Sequence, residues 1–288
     1  MYLRNRIMAG ARRRRHDMLV RDALLAVADF PFPRPLRQAG LERELVVSLT
    51  SFPPRYPTLA LTLKSLLAQS TAPDRILLWI AHDDFARLPE TVTSLQGDIL
   101  QILPCDDLRS YGKLLPALAA FPDAHVVTAD DDLFYPRDWL ATLIETHRAH
   151  PAHIVCRRAH MAAFRRDGSI RRYNDWDYET RRERATGPNE ALFPTGVGGV
   201  LYPAGSLPEE TWDVAAIRTL CPYADDIWFF WMARRAGIGH VRTPGRFDIV
   251  DWPGSQTISL NSANVAAKGN DAQLAAMEAA FGFVGGKR

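Results

Sequence analysis

Three consecutive carboxylates, Asp130, Asp131 and Asp132, stand just after Thr128-Ala129 and the short apolar run Ala124-His125-Val126-Val127. Adjacent acids repel one another, so a cation among them is expected. A buried strand that delivers acids at its C-terminal end places them where open α/β sheets bind ligands. Along an extended segment alternate side chains share a face, so Asp130 and Asp132 can enter one cavity while Asp131 points elsewhere. Carboxylate oxygens without Cys or clustered His suit a hard cation, Mg2+ or Mn2+, which keeps several waters and bridges substrate phosphates. The plainer alternative is that Asp131 or Asp132 caps the helix suggested by Pro136 and by Trp139 to Leu143.

A second acidic pair, Asp225-Asp226, stands at the expected start of an apolar helix that closes near Gly237. Asp225 is expected to cap that helix, leaving one carboxylate free to take a proton from an incoming hydroxyl. Upstream, Thr195-Gly196-Val197-Gly198-Gly199 precedes the apolar run to Tyr202. Glycines there suit a tight turn or a close approach of backbone to ligand.

The elements that must position these acids alternate. Leu45 to Thr50 reads as a strand, Thr58 to Gln69 as an amphipathic helix, Arg75 to Ile80 as a second strand ending at Asp83-Asp84, and Ile99 to Leu103 as a third. A helix from Tyr111 to Phe121 then leads to the acid-tipped strand. The alternation predicts an α/β fold: a Rossmann-like, mostly parallel sheet with helices on both faces. No Gly-x-Gly-x-x-Gly follows the first strand and no Gly-Lys-Ser/Thr loop occurs, which removes support from dinucleotide and P-loop readings. Beyond Pro151 the pattern turns irregular. There Trp176 and Tyr178 read equally as a sugar-stacking surface or as core, and His240 as a structural strand histidine or an additional metal ligand. Three regions follow: residues 1–41, a basic arm ending in the Pro-rich linker Phe30 to Pro35; 42–150, the Rossmann-like half; and 151–288, the irregular half.

The chain of 288 residues is 47% hydrophobic, enough for one large core or two modest ones. No apolar run reaches the ~20 residues of a membrane span, and no secretory leader is recognisable, so a cytoplasmic location is expected. Cys105, Cys156 and Cys221 are too scattered for a disulfide framework or a zinc site. A net charge of +2 does not suggest a nucleic-acid partner. The charge is uneven, however. Arg4, Arg6, Arg12, Arg13, Arg14, Arg15 and Arg21 crowd the N-terminus among Met18, Leu19, Leu24 and Leu25. This arm reads either as a solvated helix or as a basic amphipathic one making peripheral contact with the inner face of an anionic membrane.

From about Glu44 to Thr243 the order of features resembles the GT-A glycosyltransferases, most closely their large family-2-like group. Val46-Val47-Ser48-Leu49-Thr50 with Ser65-Leu66-Leu67-Ala68-Gln69 resembles that group's opening strand and Leu-rich helix, and Asp130 to Asp132 its Asp-x-Asp motif. Gly198 through Asp226 resembles its Gly-rich strand and Glu-Asp pair, with Asp225 replacing the Glu. Asp83-Asp84-Phe85-Ala86 stands where the group has Asp-Asp-Gly-Ser, leaving open which Asp contacts the nucleotide. The resemblance implies a GT-A fold whose second half is the acceptor side, with Asp226 as general base and Asp225 second. It implies metal contact by Asp132 and Asp130, and a nucleotide pocket lined by Thr50, Arg55, Asp83 or Asp84, and Asp131, with Lys113 a further donor contact. Trp252 to Asp271 has no counterpart.

The activity so implied is transfer of a hexosyl group from a nucleotide-diphosphate sugar to a glycan or lipid-linked acceptor hydroxyl, inverting and dependent on Mn2+ or Mg2+, in cell-surface polysaccharide synthesis. Two alternatives stay open: a nucleotidyltransferase using the same acids on a related sheet, and a catalytically silent sugar-binding domain.

Overall fold

The computed structural model describes residues 2–31, 37–257 and 269–282. Its centre is a seven-stranded sheet. Strands β1 (Leu45–Ser51), β2 (Arg75–Ala81), β3 (Leu100–Cys105), β4 (His125–Thr128) and β5 (Ile154–Cys156) belong to it. The short pair β6 (Ala159–Met161) and β7 (Leu192–Pro194) forms a separate antiparallel ribbon, and β8 (Val200–Tyr202) and β9 (His240–Arg242) return to the main sheet. The strand order is β9-β5-β8-β4-β1-β2-β3, with every strand parallel to the others except β8.

Near-continuous apolar strands are what a sheet covered on both faces requires. Leu45, Val47 and Leu49 of β1 join one core with Ile76, Leu78 and Ile80 of β2. Helix α2 (Tyr56–Leu67) closes that face with Leu59, Leu63 and Leu66. Further helices follow in the chain: α3 (Leu115–Ala120), α4 (Trp139–Ala149), α5 (Asp225–Arg235) and α6 (Gly269–Phe281). Trp139, Leu140, Leu143 and Ile144 of α4 complete the α2 face. Val46, Leu77 and Trp79 point to the opposite core, covered by Leu115 and Leu118 of α3, the Ile227 to Ala233 run of α5, and Leu274 and Met277 of α6. Each such fully buried Leu contributes about 1.5–3 kcal/mol.

Three expectations are corrected. The single helix over Tyr111 to Phe121 is a 3-10 turn, Arg109–Lys113, followed by the short α3, because Pro116 has no N–H to continue a helix from the turn. Asp225 does not cap α5: the N-cap is Ala224, without a side-chain hydrogen bond. Nor do Asp131 and Asp132 cap α4, whose N-cap is Asp138.

The N-terminal segment is a helix, α1 (Tyr2–Ala28), and its second half lies on the body. Ala23 and Val27 are buried against Val250 and Trp252, and Arg15 pairs with Asp248 at 2.8 Å. Met18, Leu24 and Leu25 remain exposed. The side chains of Arg4, Arg6 and Arg12, most of the Phe30 to Pro35 linker, and the 258–268 part of the Trp252 to Asp271 segment lie outside the described residues. Among the described residues no helix is long and apolar enough to cross a membrane.

Candidate active site

Because β1, β2, β4, β5 and β9 run parallel, their C-terminal ends share one edge, and Asp130 to Asp132 leave β4 there. Asp132 is 8% exposed, and its Oδ2 is held by Arg55 Nη1 at 2.8 Å and accepts from Gln256 Nε2 at 2.7 Å. Burial and the neighbouring Asp130 push its carboxyl up, with Arg55 opposing. Asp131 faces α2. Its Oδ2 accepts from Ser51 Oγ at 2.6 Å, and burial, then Asp132, drives its carboxyl up to about 7. Asp130 pairs through Oδ1 with Lys113 Nζ at 3.2 Å, and its Oδ2 is buried with no hydrogen-bond partner. The adjacent backbone is pinned, since the Asp130 N–H donates to the Tyr135 hydroxyl at 2.7 Å.

Lys113 joins the two acidic motifs. Its Nζ is 3.2 Å from Asp130 Oδ1 and 3.2 Å from Asp225 Oδ2. Burial alone would lower its pKa, but Asp130, Asp225 and Asp226 hold it well above the ordinary lysine value. Asp226 is the fourth member. Its Oδ1 accepts from the Gly196 N–H at 2.8 Å, while burial and then Asp225 raise its carboxyl to about 7 against the opposing pull of Lys113. Any side chain at Gly196 would press on the charged cluster, because a Cβ would meet Lys113 Nζ at 2.5 Å and Asp226 Oδ1 at 3.0 Å. Gly199, at φ +97°, is constrained similarly: its Cβ would sit 2.6 Å from the Trp139 ring, whose Nε1 donates to Gly198 O at 2.6 Å.

The structure therefore brings Asp130, Lys113, Asp225 and Asp226 into one cluster, with Arg55 and Asp132 beside it. Thr50 lies one strand away, its hydroxyl donating to Trp79 O at 2.9 Å and touching the Gly112 position. Asp83 is exposed and Asp84 half-buried in a short helix beyond β2, where Asp84 pairs with Arg87 at 3.0 Å. Trp176 is buried and donates to Arg171 O, whereas Tyr178 is 41% exposed. His240 opens β9 at the opposite end of the sheet and stacks on Phe230, so it takes no part in this edge. Gln256, which the sequence gave no reason to single out, reaches Asp132 from a segment after the last strand.

Among the described residues no group of three or more His, Cys, Asp and Glu side chains is placed to hold a metal ion. A cation at this edge would need ligands from a bound molecule as well as from protein.

No protein-family model matches the chain, and no curated protein matches it. Among solved structures, a mannosyltransferase from Pyrobaculum calidifontis, PcManGT in complex with GDP-Man and Mn2+, is similar to 91% of this chain. The alignment covers 71% of that enzyme at 13% identity, with a TM-score of 0.50. A likeness at this identity speaks to fold. The chain has a GT-A-like architecture, a Rossmann-like core with an antiparallel insertion and helices on both faces.

Proposed function

We propose that this chain is a nucleotide-sugar-dependent glycosyltransferase that attacks the donor sugar with an acceptor hydroxyl and inverts the anomeric centre. The observation that carries the reading is the meeting of Asp130, Lys113, Asp225 and Asp226 at the ligand edge of the sheet, with the Asp226 carboxyl raised towards neutrality.

Asp226 is the base. The Gly196 N–H fixes its Oδ1, which leaves the other carboxylate oxygen of this half-buried side chain to receive the acceptor proton. A carboxylate poised near the working pH is the best compromise between being ionised and being basic. Lys113 opposes the rise of the Asp226 carboxyl, so that a substantial fraction of it is ionised near neutrality. Thr50, Arg55 and Asp131 border the donor side, and Arg55 brings a fixed guanidinium to where a diphosphate would lie.

Mn2+ or Mg2+ fits the carboxylates. Asp130 Oδ2 is a buried acceptor without a donor, and Asp132 is destabilised by Asp130, so a hard cation between them relieves both. Asp130 and Asp132 would hold it, and the ion would neutralise charge developing on the departing diphosphate. The supporting fold relative was solved with GDP-Man and Mn2+. The acceptor is a glycan or lipid-linked glycan, and the exposed Met18, Leu24 and Leu25 beside Arg13, Arg14 and Arg21 of α1 favour peripheral contact with an anionic leaflet.

The test is calorimetric titration with UDP, GDP, CMP and dTDP, each with Mn2+ and with EDTA. Saturable, metal-dependent binding of one nucleoside diphosphate is expected, and binding of none would refute the transferase reading.

A further inference from the structure

Two arginines at the same sheet edge have no acidic partner among the described residues. Arg157 follows β5 and Arg242 ends β9, in strands paired so that Arg242 lies opposite Cys156. Both guanidinium groups reach one residue: Arg157 Nη1 donates to Thr243 Oγ1 at 3.2 Å, and Arg242 Nη1 donates to Thr243 O at 2.8 Å and to Gly245 O at 3.1 Å. Arg242 is only 8% exposed, and the Nε atoms of both arginines are buried without a hydrogen-bond partner. The other contact of Arg157 is the face of Phe247, 5.3 Å away. Among the described residues neither arginine forms an ion pair with a carboxylate. Asp138 acts favourably on the Arg157 charge while Arg242 opposes it, and Arg181 in turn adds like charge to Arg242.

Guanidinium does not shed its proton, so the buried Arg242 and the half-buried Arg157, which meet at Thr243, both stay charged, and Arg242 acts unfavourably on Arg157. The arrangement becomes favourable when an anion arrives, because the planar fork matches a carboxylate or phosphate through two parallel hydrogen bonds. One loop connects the Arg157 backbone to the base. Gly199 O accepts from the Arg157 N–H at 3.1 Å, and three residues earlier the Gly196 N–H holds Asp226. Three residues span at most about 10 Å. Arg157 lies on the β5 side of β8 and Asp130 on the β4 side, so the pair belongs to the flank away from the donor carboxylates.

We infer that Arg157 and Arg242 form an anion subsite for the acceptor, so that the accepting glycan carries a carboxylate or phosphate while its hydroxyl faces Asp226. The inference rests on the transferase reading for the word acceptor, and the anion site itself stands on the arginine geometry.

The experiment titrates the full chain with methyl glucuronide, inorganic phosphate and neutral methyl glucoside, following backbone amide shifts by NMR, with and without saturating nucleoside diphosphate and Mn2+. Methyl glucuronide or phosphate should bind saturably and at least tenfold more tightly than methyl glucoside. Arg157→Gln should abolish that preference, and Arg157→Lys, which keeps the charge but loses the fork, should weaken it. Preference for glucuronide identifies a sugar acid, and preference for phosphate a phosphorylated or lipid-pyrophosphate acceptor. Equal binding of all three probes, or anion binding untouched in a folded Arg157→Gln protein, would overturn the subsite. Displacement of the anion by nucleoside diphosphate would overturn its assignment to the acceptor. Anion binding without any nucleotide binding would instead defeat the transferase reading and leave the arginine site standing.

Discussion

Replacing Lys113 with methionine isolates the electrostatic core of the site. Lys113 is almost fully buried and lies within 3.2 Å of Asp130 and Asp225, so methionine keeps the volume and removes only the charge. A methyl built on Gly196 would lie 2.5 Å from Nζ and 3.0 Å from Asp226 Oδ1, which puts those two atoms no more than about 5.5 Å apart. At an effective dielectric of ~20, unit charges at about that distance attract by roughly 3 kcal/mol. One pH unit corresponds to about 1.4 kcal/mol, and water entering the site would screen part of the effect. The sign is fixed: Lys113 lowers the Asp226 pKa, so its loss raises it above its present value of about 7. The ionised base then appears only at higher pH. We expect the acid limb of the kcat/KM profile to move up by about one to two pH units, with turnover largely recovered near pH 9. Stability falls as well, because Asp130 and Asp225 lose their counter-ion; breaking a buried pair typically costs about 3–5 kcal/mol. Melting is therefore recorded alongside, at each pH. An unmoved acid limb in a folded protein that still binds nucleotide would refute both the base assignment and the role of Lys113.

Asp226→Asn should leave nucleoside diphosphate binding intact by calorimetry while lowering turnover by about 100-fold or more, and a variant as active as the parent would reject Asp226 as base. Asp132→Ala should abolish the metal-dependent part of nucleotide binding, which comparison of Mn2+ with EDTA reads directly. Without ligand, the raised Asp226 pKa makes the folded state bind the extra proton between pH 4 and 7. Its contribution is thus present below pH 4 and lost as pH rises to 7, a slope worth up to about 4 kcal/mol that Asp226→Asn should flatten in urea titrations. Gly199→Ala, at φ +97° and 2.6 Å from the Trp139 ring, should cost about 2–4 kcal/mol, visible as a fall in Tm of several degrees; an unchanged Tm would contradict the packing described.

The sheet was legible in the sequence because its strands are buried on both faces: the runs Leu45 to Thr50 and Arg75 to Ile80 could hardly be anything else. The emergence of Asp130 to Asp132 at the ligand edge followed from strand direction alone. Local propensity failed where a distant charge intervened. Asp225 sits at a helix start and looks like a cap, but Lys113 takes its carboxylate from another part of the chain. Lys113 reads from the sequence only as a donor contact, since nothing local reveals that the Gly196 loop folds over it and brings it to Asp225. Gln256 and the Arg157–Arg242 pair depend on strand neighbours and a return segment far away in sequence, and no spacing rule reports such meetings.

The fastening of Asp132 has a consequence for the timing of synthesis. Arg55 and Asp132 are made early, but Ser255 O and Gln256, which hold them, belong to a segment that follows every strand of the sheet. Trp252 anchors that segment by donating to Thr62 Oγ1 at 2.8 Å and by packing near Ala23 and Val27 of the first helix. On the ribosome the sheet can therefore assemble while its acidic edge still lacks this clasp. A chain ending before residue 250 would carry every strand of the sheet but neither this clasp nor the α6 cover over one core, so its acidic edge could not reach its final form.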